Sequence, residues 1–358
     1  MNAWPITSSR PVGPEPAQHQ SGLALIMAIM LVGFAIALVA GISLLGRYEN
    51  SISQQVRDQA KMRHFLLSTE AVGIRTLKDD DIAVDSCDEA WAQGQMFEAD
   101  EAFENATFRI AIEDAQANYN INRLVAFDNG EWVTRPLQVT AFTNYLNSAL
   151  NINAGGQTTP VNEVAASLAD WLDTDDIAQI NGLERFDYAG HNVANQPITQ
   201  IEEIYAHPFF EQQENRFGFQ SSTVSVELAA LAPSAAMNVN TAPDEVLASL
   251  ELANALISQQ QLSAITGLRS NDPITSLSQI DSLSVFRNTN KDDLAELKQQ
   301  LAVASEYFVV YSQVEREDET IATLRTLVKR EQNGTILILE RRFGNPWPRK
   351  PFLNPSPC

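Results

Sequence analysis

Cysteine, histidine and positive charge are all scarce in this chain. Two cysteines, Cys87 and Cys358, and four histidines occur in 358 residues. That leaves little material for a transition-metal site. There is no Cys-x-x-Cys pair, no phosphate-binding glycine loop and no serine nucleophile elbow. Lysine and arginine total 24 against 45 acidic residues, a net charge of −21. Such a surface repels nucleic acid, which is held through Lys/Arg contacts to phosphate. It equally disfavours anionic lipid, and it suits divalent cations or basic partners.

Charge is missing altogether from Leu23 to Gly46, a run of 24 residues. A helix needs about 20 such residues to span a bilayer. The competing reading is a cleaved secretory signal, whose apolar part runs only about 7–15 residues. This run is longer and has Gly22 in front of it. The preceding Met1–Gly22 is rich in Pro, Ser and Gln and reads as disordered. It carries Arg10 and Glu15, and Arg47 follows the helix closely, so charge alone sets the topology weakly.

The length allows about two or three domains. Helical periodicity continues beyond the apolar run, through Tyr48, Ile52, Val56 and Ala60, then Leu67, Ala71 and Ile74. One helix is expected from Leu23 to Leu77, ended by Asp79-Asp80-Asp81, with that stripe as its packing face. Phe108–Asp114 alternates like a strand. A helical stretch from Pro136 to Gln300 follows. Strand signals return at Tyr307–Val314, Ile321–Arg330 and Thr335–Arg341. Asn333-Gly334 between the last two favours a hairpin turn with positive φ. Four strands are too few for two stable sheets, so one sheet packed on the long helix is expected. The Pro-rich tail from Asn345 reads as loose.

Several stretches then resemble one family. They are Ile112-Glu113-Asp114 with Asn120-Ile121-Asn122, and Leu168-Ala-Asp170-Trp171-Leu-Asp173-x-Asp175-Asp176. Next come Asn181-Gly182-Leu-Glu184 with Tyr188, and Met237-Asn-Val-Asn240-Thr241-Ala242. In order and spacing they resemble general secretion pathway protein K, the large minor pseudopilin of type II secretion. The resemblance covers most of Leu23–Gly344. It implies an α+β pseudopilin fold, a long N-terminal transmembrane helix packed on a small antiparallel sheet with a large inserted all-α domain. The corresponding parts are a cleaved leader 1–22, a membrane segment 23–46, helix and first strand 47–117, the insert 118–300, the last strands 301–344 and a tail 345–358.

The same resemblance implies cleavage by prepilin peptidase after Gly22, with Leu23 as a methylated new N-terminus. It places the protein as a single-pass inner-membrane subunit with its C-terminal domain in the periplasm. The implied partners are the I- and J-type minor pseudopilins, the inner-membrane secretion platform, and at the filament tip the secretin and exported substrates. The implied role is structural, not enzymatic. Most pilins carry Glu at the fifth mature position, where it pairs with a neighbour's amine; here that position is Met27. An unpaired carboxylate in a bilayer is costly, and a subunit with nothing above it has no use for one. The plain alternative is that Met27 is one more lipid-facing residue. The chain departs from the family at Ala189-Gly190-His191-Asn192, where Pro-Pro-Tyr is usual, in its Leu23 N-terminus, and in a longer, less basic leader. A type IV minor pilin and a signal-anchored periplasmic metal-dependent hydrolase are the rival readings.

The densest acidic cluster is Asp170, Asp173, Asp175, Asp176, Glu184 and Asp187. Ca²⁺ takes about six to eight oxygen ligands, and short acidic loops supply them. Asp173, Asp175 and Glu184 are the leading candidates, with Asp176 and Asp187 behind them, and Gly182 would let the backbone bend inward. The family resemblance implies calcium in the helical domain. A solvated acidic loop whose aspartates cap helices is the alternative. Thr241 followed by Asp244 reads as a helix cap opening a helix-hairpin-helix-like unit, and Ile198–Ile204 reads as another. The phosphate-binding glycines of such units are absent at Glu251-Leu252-Ala253, so no nucleic acid is expected. Cys87 and Cys358 can bridge in an oxidising compartment, stay free, or pair between chains.

Overall fold

A computed structural model describes residues 21–98, 106–149, 161–184, 235–316 and 319–344, with isolated positions from 187 to 207. The leader up to Gln20, the stretch Ala189–Asn192, and the tail from Asn345 with Cys358 lie outside the described residues. The chain divides into two units, Met1–Lys61 and Met62–Cys358.

Helix α1 runs from Ser21 to Lys78. In the first unit, Leu25–Leu45 is long and apolar enough to cross a membrane, with mean hydropathy 2.8 and none of it buried. Met27 is exposed within it. No acidic residue stands in the first turn, while Arg75 and Lys78 lie in the last, where cations complement the helix dipole.

In the second unit, α1 packs on a five-stranded antiparallel sheet. Its strands are β1 (Gln95–Glu98), β2 (Thr107–Asp114), β3 (Tyr307–Arg316), β4 (Glu319–Arg330) and β5 (Ile336–Phe343), in that spatial order. The expected union of the first strand with the last three is present, since β2 pairs with β3. The hairpin partner β1 was not anticipated. The turn after β4 is the expected hairpin turn with positive φ, which Gly334 takes. Glu331 and Thr335 close it, with the Glu331 N–H donating to the Thr335 carbonyl at 2.8 Å.

The packing face of α1 is turned by one position from the expected Leu67–Ala71–Ile74 stripe, of which Leu67 and Ile74 are half-buried against the core. Leu66, Thr69, Glu70, Gly73 and Leu77 are buried, whereas Ala71 is exposed. A glycine and a carboxylate do what apolar residues were expected to do. A Cβ on Gly73 would lie 2.7 Å from Val310 Cγ1 and 3.1 Å from Ile110 Cγ2, so only glycine lets the helix approach this closely. Leu77, Ile110, Ile112, Phe308, Val310 and Trp91 form the core between them. The alternation in β3 sends Phe308 and Val310 to that face and Val309 and Tyr311 to the other.

Between β2 and β3 lies a second core, built from Tyr119 to Leu301. Helices α2 (Pro136–Ala149) and α3 (Val161–Leu172) pack together there. Two further helices, α4 (Gln259–Arg269) and α5 (Lys291–Gln299), contribute Ile265 and Leu297. The stretch expected to be helical also contains short strands at Met237–Asn238, Glu251–Leu252 and Ala255–Leu256. Thr241 is not a helix cap. The short helix starts at Asp244 with Pro243 in the cap position, and the Thr241 hydroxyl donates to Asp114 Oδ2 at 2.6 Å. The Asp114 carboxylate sits fully inside, where it also accepts from Asn238 and Ser305. This is the polar seam between the sheet and the insert, and every buried acceptor needs such donors.

Candidate metal centre

The acidic loop begins where α3 ends. Val164, Ala165, Leu168, Ala169 and Leu172 give α3 a buried apolar face, and Trp171 packs edge-on against Tyr188. His207 lies against the same rings, its Nε2 2.7 Å from Ser167 Oγ. Burial holds the His207 imidazole down at about 4, so it is a neutral core residue at physiological pH.

Asp170, on the last turn of α3, folds the loop back on itself. Both of its carboxylate oxygens accept from the Gln179 N–H at 3.1 Å. Gly182 passes directly over this carboxylate: a Cβ there would fall 1.7 Å from Asp170 Oδ2. The glycine is needed for space, while the left-handed backbone is at Asn181, φ 68°. Burial raises the Asp170 carboxyl to about 7, with the nearby Asp173 and Asp175 charges adding to it.

Asp173, Asp175 and Glu184 converge. One carboxylate oxygen from each lies within 4.8 Å of the others. Asp173 and Glu184 are buried, and Asp175 is exposed at the mouth. Asp173 Oδ2 accepts from Thr134 Oγ1 at 2.6 Å, while its buried Oδ1 accepts no hydrogen bond among the described residues. Burial lifts the Asp173 carboxyl to about 6, and the neighbouring Asp175 charge pushes the same way. Asp175 Oδ1 accepts from the Ile177 N–H, which holds the turn. Three carboxylates gathered at the edge of a dry core need either protons or a cation. Their all-oxygen donor set, with an orphaned buried oxygen, fits a hard cation such as Ca²⁺.

The three leading sequence candidates are therefore together, and the two secondary ones are not among them. Asp187 instead accepts from the Glu184 N–H at 2.9 Å, positioning that residue's backbone. Asp176 is exposed. Thr134 was missed. It belongs to a hairpin, Val125–Asp128 with Glu131–Thr134, whose Asn129-Gly130 turn has positive φ at both positions. That Asn-Gly pair was a readable signal.

A second acidic group was missed too. Asp80, Asp85 and Glu89 also come within 4.8 Å of one another. Arg330 of β4 bonds both Asp80 and Asp85, and Glu89 Oε2 accepts from the Ser86 N–H and Trp91 Nε1. Burial raises the Asp85 carboxyl to about 7 against the opposing pull of Arg330.

The family model described as type II secretion system (T2SS), protein K, matches residues 117–216, a span that contains α2, α3 and the acidic loop. The type II secretion system protein K of Klebsiella pneumoniae is 24% identical over 340 residues, covering 92% of this chain and 98% of that protein. Over most of its length this chain is similar to type II secretion system protein K. A protein K of Escherichia coli strain K12 is 28% identical over 187 residues, 51% of this chain and 54% of that relative. Among solved structures, the crystal structure of the GspK-GspI-GspJ complex from enterotoxigenic Escherichia coli contains a chain matched with TM-score 0.58 and 18% identity. The match covers 83% of this chain and 99% of that one. At that identity the likeness establishes the shared fold: the α+β architecture expected for a protein K.

Proposed function

We propose that this chain works as the tip subunit of a type II secretion pseudopilus, priming the filament and supporting export across the outer membrane. The observation that carries the reading is the uncharged, fully exposed Leu25–Leu45 segment on a chain whose folded part has protein K architecture. An apolar helix of this kind packs laterally against sister helices in the bilayer. Met27 stands where a filament subunit with a neighbour above it would keep an acid. The insert enlarges the head, which obstructs further stacking. I- and J-type minor pseudopilins are the natural partners, because the solved relative was crystallised as a GspK-GspI-GspJ complex. The folded part would stand in the periplasm, near the secretin and the cargo. Prepilin peptidase would cut after Gly22 and methylate Leu23, and the inner-membrane platform would feed the subunit into the filament.

Mass spectrometry of the mature N-terminus tests this. The expected species starts at methylated Leu23 and disappears when prepilin peptidase is deleted. Recovery of chains still beginning at Met1 in a strain with active peptidase would end the proposal. Cysteine crosslinking to the I- and J-type subunits then tests the tip position.

Calcium is proposed as the structural ion of the acidic loop. Asp173, Asp175 and Glu184 would hold it. The ion would neutralise their charge and tie the end of α3 to the returning loop. Through Thr134 it would also brace the Val125–Thr134 hairpin. Calorimetric titration of the apo protein is the direct check.

A further inference from the structure

The second acidic group closes the loop between α1 and β1. Asp80 follows the last turn of α1, and Glu89 precedes the turn Ala90–Gln93, which carries Trp91 into the core. Asp85 lies between them in sequence, its side chain fully buried. Its N–H donates to the Val303 carbonyl at 2.9 Å. Its Oδ2 accepts from the Ser305 N–H at 2.6 Å and from Arg330. Its other oxygen, Oδ1, is also buried and accepts no hydrogen bond among the described residues. Buried acceptors normally have a donor, so this carboxylate is incomplete.

Arg330 does not complete it. Its Nη1 reaches Asp80 Oδ2 at 3.2 Å, and its Nη2 is shared between Asp85 Oδ2 and the Ser305 carbonyl. Glu89 Oε2 accepts from neutral donors, the Ser86 N–H and Trp91 Nε1, each at 2.8 Å. Three carboxylates beside one guanidinium leave two negative charges when all are ionised. One oxygen from each carboxylate lies within 4.8 Å of the others. Oxygens bound to one Ca²⁺ at about 2.3–2.6 Å stand at most about 5 Å apart, so a single ion can touch all three.

We infer that Asp80, Asp85 and Glu89 form a second calcium site, which the neighbouring Arg330 keeps weak. Asp85 Oδ1 supplies the buried ligand. The half-buried Asp80 and Glu89 open the site to water, which completes the about six to eight oxygens that Ca²⁺ takes. Arg330 repels the ion, so the site fills at about 0.1–1 mM calcium, the range of extracellular modules. Dialysis alone empties it, and the ion that EDTA removes from purified protein is that of the acidic loop. When filled, the second site ties the end of α1 to the loop leading into β1, beside the edge-on contact of Trp91 with Phe308. The inference depends neither on the filament role nor on an ion at Asp173.

The test uses the full chain in detergent at pH 8. Calorimetric titration with Ca²⁺ should show a tight and a weak phase in wild type. Only the weak phase should remain when Asp173→Asn and Glu184→Gln are combined to silence the acidic loop. In that combined variant Tb³⁺ should emit on tryptophan excitation, because Trp91 bonds Glu89. Trp91→Phe should extinguish the emission while the weak calcium phase persists. Glu89→Gln and Asp80→Asn should each weaken that phase about tenfold or more. Arg330→Gln should tighten it about tenfold, and added calcium should raise that variant's melting temperature more than the wild type's. An arginine serving only as a structural partner would leave calcium affinity unchanged. The inference is overturned if no weak phase appears, or if it is the same in Glu89→Gln and Asp80→Asn. It is equally overturned if the emission survives Trp91→Phe, or if Arg330→Gln folds and gains no affinity. Where Arg330→Gln does not fold, the two carboxylate variants decide.

Discussion

Glu70 of α1 and Arg341 of β5 meet in a two-pronged ion pair, Nε to Oε1 at 2.8 Å and Nη2 to Oε2 at 2.8 Å. The carboxylate is 2% exposed and the arginine side chain 39%. Thr326 of β4 donates to the same carboxylate. The pair fastens the Met62–Lys78 part of the helix to two strands. Its asymmetry sets the outcome of mutation. Arg341→Ala strands a buried carboxylate and should cost about 3 kcal/mol, the low end for a broken buried pair. Glu70→Gln frees Arg341 to turn to water and should cost about 1–2 kcal/mol. Chemical denaturation of both variants, followed by circular dichroism, measures the difference. Equal losses would contradict the asymmetry.

Gly73 is the point of closest approach between helix and sheet. Gly73→Val places branched carbons against Val310 and Ile110, where a Cβ alone meets Val310 at 2.7 Å. Overpacking of this kind costs about 1–3 kcal/mol. Gly73→Ala should fall at the lower end, because it adds one carbon and also lowers backbone entropy in the unfolded chain. Thermal melts should rank wild type above alanine above valine.

The proposed calcium site predicts a pH response whose sign depends on the ion. The folded Asp173 and Asp170 carboxyls titrate near 6 and 7, above the unfolded value of about 3.9. The metal-free fold therefore binds more protons than the unfolded chain between about pH 4 and 7. Its stability should be highest near pH 4 on this account and fall as pH rises through 7. Calcium reverses the trend, since it binds the deprotonated form. Its affinity should drop about tenfold per pH unit below 6. Asp173→Asn and Glu184→Gln should each weaken Ca²⁺ at least tenfold by calorimetry. They should also abolish the melting shift that EDTA causes. A wild-type melt indifferent to EDTA at pH 7.5 would refute the site.

Arg330 is the counter-ion of the second acidic group. Its side chain is buried between Asp80 and Asp85, and it lies over the Phe308 ring at 4.8 Å. Arg330→Gln should destabilise by about 3–5 kcal/mol, leaving carboxylates without their cation. Lowering the pH from 8 to 6 should restore part of that loss, because the Asp85 carboxyl is already raised to about 7 with the arginine present. Denaturation midpoints of variant and wild type at both pH values decide it. A loss that is the same at pH 6 and 8 would show that Asp85 is not the stranded group.

Much of the architecture was readable as local pattern. The uncharged run, the strand alternation in Phe108–Asp114 and the C-terminal strands each repeat with a period that a few neighbouring residues display. Asp173, Asp175 and Glu184 were readable for the same reason, since eleven positions separate the first from the last. The failures were equally local in cause. The α1 stripe was set one position off because Glu70 and Gly73 do not look like packing residues. Thr241 resembled a cap because the cap pattern cannot show that a distant carboxylate claims the hydroxyl first. The hairpin behind Thr134 carried a clear Asn129-Gly130 signal that was passed over.

By itself the sequence determined the membrane-length helix, the joining of the first strand with the last three, and the acidic loop. Each follows from the chemistry of adjacent side chains and from backbone periodicity. Only the tertiary structure decided which polar groups share a buried site. Glu70 and Arg341 are 271 residues apart, and Asp114 and Thr241 are 127 apart. Such pairings depend on how the chain closes over its insert. Closure is set by packing summed over the whole core, and no local pattern carries that sum.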